Sequence, residues 1–179
     1  MVDSFIGLLR FWIKTVFRFN TIFKKGKIFY LGKNARLLTS KGGKIILGNH
    51  SFISERTCFG AHNGGRIIVG ENNYFSSNNN IVCLKEIVIG DNNLFGQNVI
   101  VIDHNHCYSN KNQLICKQGY NCQKIIIGSD CWFCANVVVC KGVTIGNHIV
   151  VGANSVVDSD LLTPGVYAGA PAKLIRKIL

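Results

Sequence analysis

The 179-residue sequence predicts an all-β chain wound as a parallel β-helix, on three observations. Ile127, Phe133, Val139, Ile145, Val151 and Val157 recur every six residues. A companion row runs two residues ahead: Ile125, Cys131, Val137, Val143, Ile149 and Ser155. Gly128, Gly146 and Gly152 each follow a member of the first row. Neither a helix of period 3.6 nor a flat strand of period 2 produces a six-residue beat. Side chains two apart on a strand share a face. Each unit therefore sends two small or aliphatic side chains inward and then turns, and three units close a triangular coil.

The segments follow in order. Residues 1–32 read as an N-terminal appendage, 33–163 as the coil with an excursion over 102–124, and 164–179 as a short C-terminal helix or tail. In the appendage, Phe5, Leu8, Leu9, Trp12, Ile13 and Val16 fall at helical spacing. Arg10, Lys14 and Arg18 lie four apart on another face. Charge at that frequency does not suit a transmembrane span. A basic amphipathic helix carrying Trp and Phe suits a membrane surface, or a cap over the open end of a coil stack. The two roles are compatible.

Upstream of the strong repeat the beat returns in three shorter runs: Leu47, Ile53, Phe59; Val69, Phe75, Ile81; and Ile89, Phe95, Val101. Small phase slips separate the runs, and turns can absorb them. Asparagine and glycine crowd the junctions, as in Gly90-Asp91-Asn92 and Gly146-Asn147, and both tolerate the left-handed backbone of tight corners. The long break between Val101 and Ile125 must leave the coil.

That excursion opens Ile102-Asp103-His104-Asn105-His106-Cys107-Tyr108. Histidine takes up a proton near neutral pH, and a neighbouring carboxylate can orient its ring and hold the resulting charge. The segment is therefore a candidate general base. The same H-x-H is also a candidate metal pair, since a catalytic zinc takes three protein ligands and His50, His62 or His148 offers a third.

Composition bounds the rest. Hydrophobic residues make up 47% and charged residues 16%, which supports a core and argues against disorder. The net charge of +11 sits mostly at the two ends. No helix-turn-helix, RNA-recognition or finger pattern accompanies it, so nucleic acid is not the expected partner. The eight cysteines do not form paired finger spacings; Cys131 falls on the inward row, while Cys134 and Cys140 occupy the place glycine takes elsewhere. Buried free thiols and no signal-peptide pattern lead to an expected cytoplasmic location, peripheral at the inner membrane face if the appendage meets lipid.

The repeat rows, the Asp103-His104-Asn105-His106 segment, the Trp132 unit after the excursion and the ending Pro164-Gly165-Val166-Tyr167-Ala168-Gly169-Ala170-Pro171-Ala172-Lys173-Leu174-Ile175-Arg176 together resemble the left-handed β-helix acyltransferases. Within them the chain is similar to the maltose and galactoside O-acetyltransferases and to those of capsule and lipopolysaccharide synthesis, over roughly residues 45–179. The resemblance implies a left-handed coil, a homotrimer with sites between neighbouring copies, acetyl-CoA as donor, a sugar hydroxyl as acceptor and no metal. It also implies a loop histidine as base. Ungapped register from Gly90-Asp91-Asn92 selects His106, and a two-residue shift selects His104, which follows Asp103. Trp132, Ala135 and Ala153 match positions beside the donor, and Lys173 and Arg176 match basic positions near its phosphates. An acceptor-site asparagine of the sugar enzymes falls on Ser76, with Asn78 just after it. The aromatic, basic N-terminal segment also departs from the polar one of the maltose enzymes, which points to an acceptor near a membrane, such as a lipid-linked or nucleotide-linked saccharide. Two other readings stand beside this one: a γ-carbonic-anhydrase-like metalloenzyme on the same coil, and a non-catalytic binding β-helix.

Overall fold

The computed structural model describes residues 2–15, 21–26 and 29–178. Val16, Arg18 and Lys27 lie outside the described residues, as do the side chains of Phe5 and Lys14. Helix α1 spans Val2–Thr15. Behind it the chain winds a parallel β-helix of six coils with three flat faces.

Face one stacks Ile22–Lys25, Lys44–Gly48, Arg66–Val69, Glu86–Ile89, Ile125–Ile127 and Thr144–Ile145. Face two stacks Phe29–Leu31, Ser51–Ile53, Tyr74–Phe75, Leu94–Phe95, Trp132–Phe133 and Ile149–Val151, then Gly165–Ala168. Face three stacks Arg36–Thr39, Cys58–Ala61, Asn80–Cys83, Ile100–Ile102, Val138–Val139 and Val156–Val157. Register is strict: Ile45 lies over Ile67, Ile67 over Ile87 and Ile87 over Ile125.

Every member of the two rows from Ile125 to Val157 is buried, as are the three shorter upstream runs. Like residues stack on like along the axis. The Phe75, Phe95 and Phe133 rings lie nearly parallel, with centroids 4.5 and 4.8 Å apart. Such offset stacks add to the burial of their area.

The corners explain the glycine and asparagine. Asn72, Asn92, Asp130 and His148 repeat a positive φ at the corner from face one to face two. Asn34, Asn78, Asn98, Asn136 and Asn154 do so at the corner from face two to face three. Side-chain amides bridge successive coils there: Asn98 donates to Asn136 and Asn136 to Asn154, each at 2.9 Å. At Gly90 the reason is close approach, since a Cβ would stand 2.7 Å from the Gly128 carbonyl oxygen of the next coil.

One boundary differs from the sequence reading. The coil begins at Ile22 rather than 33: Ile22, Phe29, Leu31 and Leu37 are buried, and Ile22–Lys25 pairs in parallel with Lys44–Gly48. Of the two forms expected for the C-terminus, the tail is the one present, as an extended strand: Lys173–Lys177 returns antiparallel along Gly165–Ala168. Helix α1 closes the open end, with Phe11 fully buried and stacked on Phe29 at 4.5 Å. Gly7 packs against the Tyr30 ring, where any Cβ would collide with it.

Candidate functional site

The third corner, from face three back to face one, is where coil length varies. It is closed by residues 40–43, 62–65, 84–85 and 140–143, and by the excursion 103–124. The excursion leaves as an antiparallel hairpin in which His104–His106 pairs with Tyr120–Cys122. A two-residue period across that hairpin puts His104 opposite Cys122 and His106 opposite Tyr120.

At the hairpin's root, Asp103 is fully buried. Its two carboxylate oxygens accept from the backbone N–H groups of Leu84, Lys85 and Glu86 at 2.9, 2.7 and 2.9 Å. The Cys83 thiol donates to the same side chain at 3.2 Å. Burial and the adjacent Asp103 carboxylate push that thiol far above its ordinary range, which keeps it a donor. With donors on every side, the acceptor-only carboxylate is the form this pocket fits. The remaining approach is taken by His104, whose Nδ1 lies 2.9 Å from Asp103 Oδ1. Against a carboxylate, Nδ1 carries the proton and Nε2 is left with a lone pair.

His104 is half-buried and His106 exposed. The Tyr120 ring stands between them, with centroids 5.4 Å from His104 and 4.5 Å from His106. Ile102, His104, Asn105, His106, Tyr108 and Tyr120 line an open groove of about 500 Å³. A second depression, lined by His106, Tyr108, Asn121 and Lys141, adjoins it.

The other candidate residues stand elsewhere on the prism. Trp132 points outward from face two, half exposed, in register with Leu94 and Val150. Ala135 and Ala153 occupy equivalent places at the second corner, and the Asn154 N–H donates to the Ala135 carbonyl. Lys173 and Arg176 are exposed on the return strand, opposite Ala168 and Val166. Ser76 and Asn78 share the second corner two coils earlier, where Asn78 Oδ1 accepts from Arg56 Nε at 2.8 Å. Within one chain, therefore, the structure gathers Asp103, His104 and His106 at the third corner and leaves the rest on face two and the second corner. Tyr120, Cys83 and Lys141 were not singled out from the sequence. The hairpin register brings Tyr120 to the histidines, the short 84–85 corner sets Cys83 against Asp103, and the 140–143 corner of the next coil brings Lys141 beside His106.

Among the described residues, no three His, Cys, Asp or Glu side chains are placed to share a metal ion. His148 instead pairs with Asp130 and His62 with Ser40.

Comparison with known proteins agrees with this architecture. Residues 124–159 match the bacterial transferase hexapeptide (six repeats) family. The chain is 29% identical over 163 residues to WbbJ of Escherichia coli K12, whose name assigns it provisionally to lipopolysaccharide biosynthesis O-acetyl transfer; the match covers 84% of this chain and 82% of that protein. It is 36% identical over 116 residues to the galactoside O-acetyltransferase of the same organism, covering 64% of this chain but only 56% of that protein. Among solved structures, a hexapeptide-repeat acetyltransferase of Vibrio cholerae with acetyl-CoA bound superposes with a TM-score of 0.59 at 25% identity, over 83% of this chain and 70% of its own. A galactoside acetyltransferase holding coenzyme A superposes with a TM-score of 0.62 at 27% identity, over 89% of this chain and 66% of its own. Repeat, coil and relatives agree: residues 124–159 match the hexapeptide-repeat transferases, and the chain as a whole is similar to hexapeptide-repeat acetyltransferases.

Proposed function

We propose that this protein moves an acetyl group from acetyl-CoA to a saccharide hydroxyl during synthesis of a surface polysaccharide, with His104 as general base. The observation that carries the reading is the Asp103–His104 pair, anchored from behind and open in front to the groove. The acceptor O–H gives its proton to His104 Nε2 while its oxygen attacks the thioester carbonyl. The C–O bond forms, the C–S bond breaks, and the proton passes to the departing CoA sulfur. Asp103 fixes the tautomer and offsets the imidazolium charge. His106, nearest Tyr120, then lies along the acceptor's approach.

The register that selects His106 as the base is set aside on geometry: its partner is an aromatic ring, whereas the partner of His104 is a buried carboxylate. Trp132, Ala135 and Ala153 would flank the pantetheine arm, and Lys173 and Arg176 would meet the nucleotide phosphates. These residues and the hairpin lie on different sides of one prism, which favours a trimer in which one copy's hairpin meets a neighbour's donor-binding corner. Ser76 and Asn78 would then be offered to the acceptor. A lipid-linked saccharide would place the enzyme peripherally at the inner membrane face, with helix α1 as the contact.

The test is CoA release with a panel of saccharides by the wild type, His104→Ala and His106→Ala. The reading expects His104→Ala to lose about 10²–10⁴-fold in turnover. Full turnover in His104→Ala with loss in His106→Ala transfers the base to His106; full turnover in both removes the mechanism.

A further inference from the structure

Helix α1 is apolar on two opposite sides: one is buried against the first coil, and the other is largely exposed among the described residues. Gly7 and Phe11, one turn apart, face the first coil and are buried. Ile6, Leu9, Trp12 and Ile13 are exposed by 37, 49, 40 and 63%. At 3.6 residues per turn these four cover roughly 120° of the circumference, centred opposite the Gly7–Phe11 stripe. A helix serving only as a cap needs one apolar face, and its far side is ordinarily polar.

The surroundings carry the complementary charge. Among the first 54 residues ten are Lys or Arg and one, Asp3, is acidic, so nine of the chain's eleven net positive charges sit at this end. Lys24 Nζ lies 3.8 Å from the centre of the Trp12 ring. Lys25 and Lys44 are exposed on adjacent coils of face one, and Lys44 Nζ is 5.9 Å from the centre of the exposed Phe23 ring. Aromatic and aliphatic side chains edged by lysine match the headgroup boundary of an anionic bilayer, where rings sit at headgroup level and ammonium groups meet phosphate. A second copy of this chain would present the same positive end and repel it. No helix among the described residues is long and apolar enough to cross a membrane, so the contact is with the surface.

We propose that the exposed Ile6–Leu9–Trp12–Ile13 face of α1 and the lysines of the first two coils form a docking surface for anionic phospholipid. This rests on the reading of a membrane-proximal acceptor, and it specifies the lipid charge and the residues that meet it. With the coil axis rooted on the bilayer, the excursion on the fourth coil stands above the headgroups, within reach of a saccharide held on a lipid.

The experiment is co-flotation of the full chain with phosphatidylcholine vesicles, with and without phosphatidylglycerol. The wild type is expected to float with the anionic vesicles and to be released near 1 M salt, where the screening length falls to about 3 Å. Leu9→Ser with Ile13→Ser, and separately Lys25→Glu with Lys44→Glu, are each expected to weaken flotation about tenfold or more. All four positions are exposed, and circular dichroism verifies that the fold persists. Equal flotation with neutral and anionic vesicles, or wild-type flotation by both double variants, overturns the proposal. So does a wild type that ignores lipid but forms larger oligomers through the same residues. CoA release with a soluble saccharide, measured in parallel, separates the two readings. Turnover without lipid binding sinks only the docking surface, and lipid binding without turnover on any saccharide sinks only the acetyl transfer.

Discussion

Replacing Asp103 by Asn changes one oxygen to an amide and nothing in shape, so its consequences follow from the hydrogen bonds. Oδ1 accepts from the Leu84 N–H and faces His104 Nδ1; Oδ2 accepts from the N–H groups of Lys85 and Glu86 and from the Cys83 thiol. An amide NH₂ at the Oδ2 position would confront two N–H donors. At the Oδ1 position it confronts one and can donate to His104, so that orientation wins. One buried N–H is then unpaired, costing about 1–3 kcal/mol, and the surviving bonds lose their charge assistance. The expected loss is about 3–5 kcal/mol, less than the whole stability of a typical domain. The same orientation forces the proton of His104 onto Nε2 and removes the proposed base. In a serine-protease triad the equivalent tautomer error costs about 10⁴-fold in turnover, and a loss of about 10³–10⁴-fold is expected here. Urea unfolding followed by circular dichroism measures the first effect, and CoA release at saturating acetyl-CoA the second. Adding His104→Ala to Asp103→Asn should cost little more. An Asp103→Asn variant that loses stability but keeps turnover within about threefold of wild type would refute the positioning argument and leave Asp103 a scaffold of the 84–86 corner.

Other expectations follow from the same coordinates. Phe95→Ala opens a void between Phe75 and Phe133 and should cost about 3–5 kcal/mol by urea unfolding, with the helical cap unaffected. Glu86 is held below its ordinary value of 4.5 by hydrogen bonds from Lys124 and then Arg66. A carboxylate depressed by folding contributes stability that is present above its unfolded value and lost as pH falls through the folded one. Urea midpoints should therefore drop below pH 4.5 more steeply in the wild type than in Glu86→Gln. Burial raises the Cys83 and Cys131 thiols, whereas Cys116 is exposed. Peptide mass spectrometry after brief iodoacetamide treatment should find Cys116 alkylated, and Cys83 and Cys131 only after unfolding.

The coils from Leu47 onward were legible because a six-residue beat leaves few alternatives once both rows are followed. The opening of the first coil, residues 22–32, was read as appendage although Leu31 and Leu37 keep the beat and Gly32 follows Leu31. A single interval in each row, Phe29 to Ala35 and Leu31 to Leu37, is too short to stand out, and Ile22 falls off both rows. The excursion's chemistry was legible as residue types but not as geometry. Register singles out His106 and adjacency to Asp103 points to His104; the three N–H groups that anchor Asp103 come from a corner eighteen residues earlier, which no local pattern reports. The extended tail was obscured because Lys173–Lys177 is wholly exposed, and with no buried side its pattern carries no period.

The third corner also bears on how such a molecule acquires a task. From the second coil upward, two of the prism's edges repeat nearly the same spacing, six residues from each inward position to its counterpart on the next face. The remaining edge already accepts spans as different as 84–85 and 103–124 without shifting the stack: Ile87 sits under Ile125 as squarely as Ile67 sits under Ile87. Spare length at that edge is mechanically silent. Loops of different length are accommodated there at little risk to the scaffold.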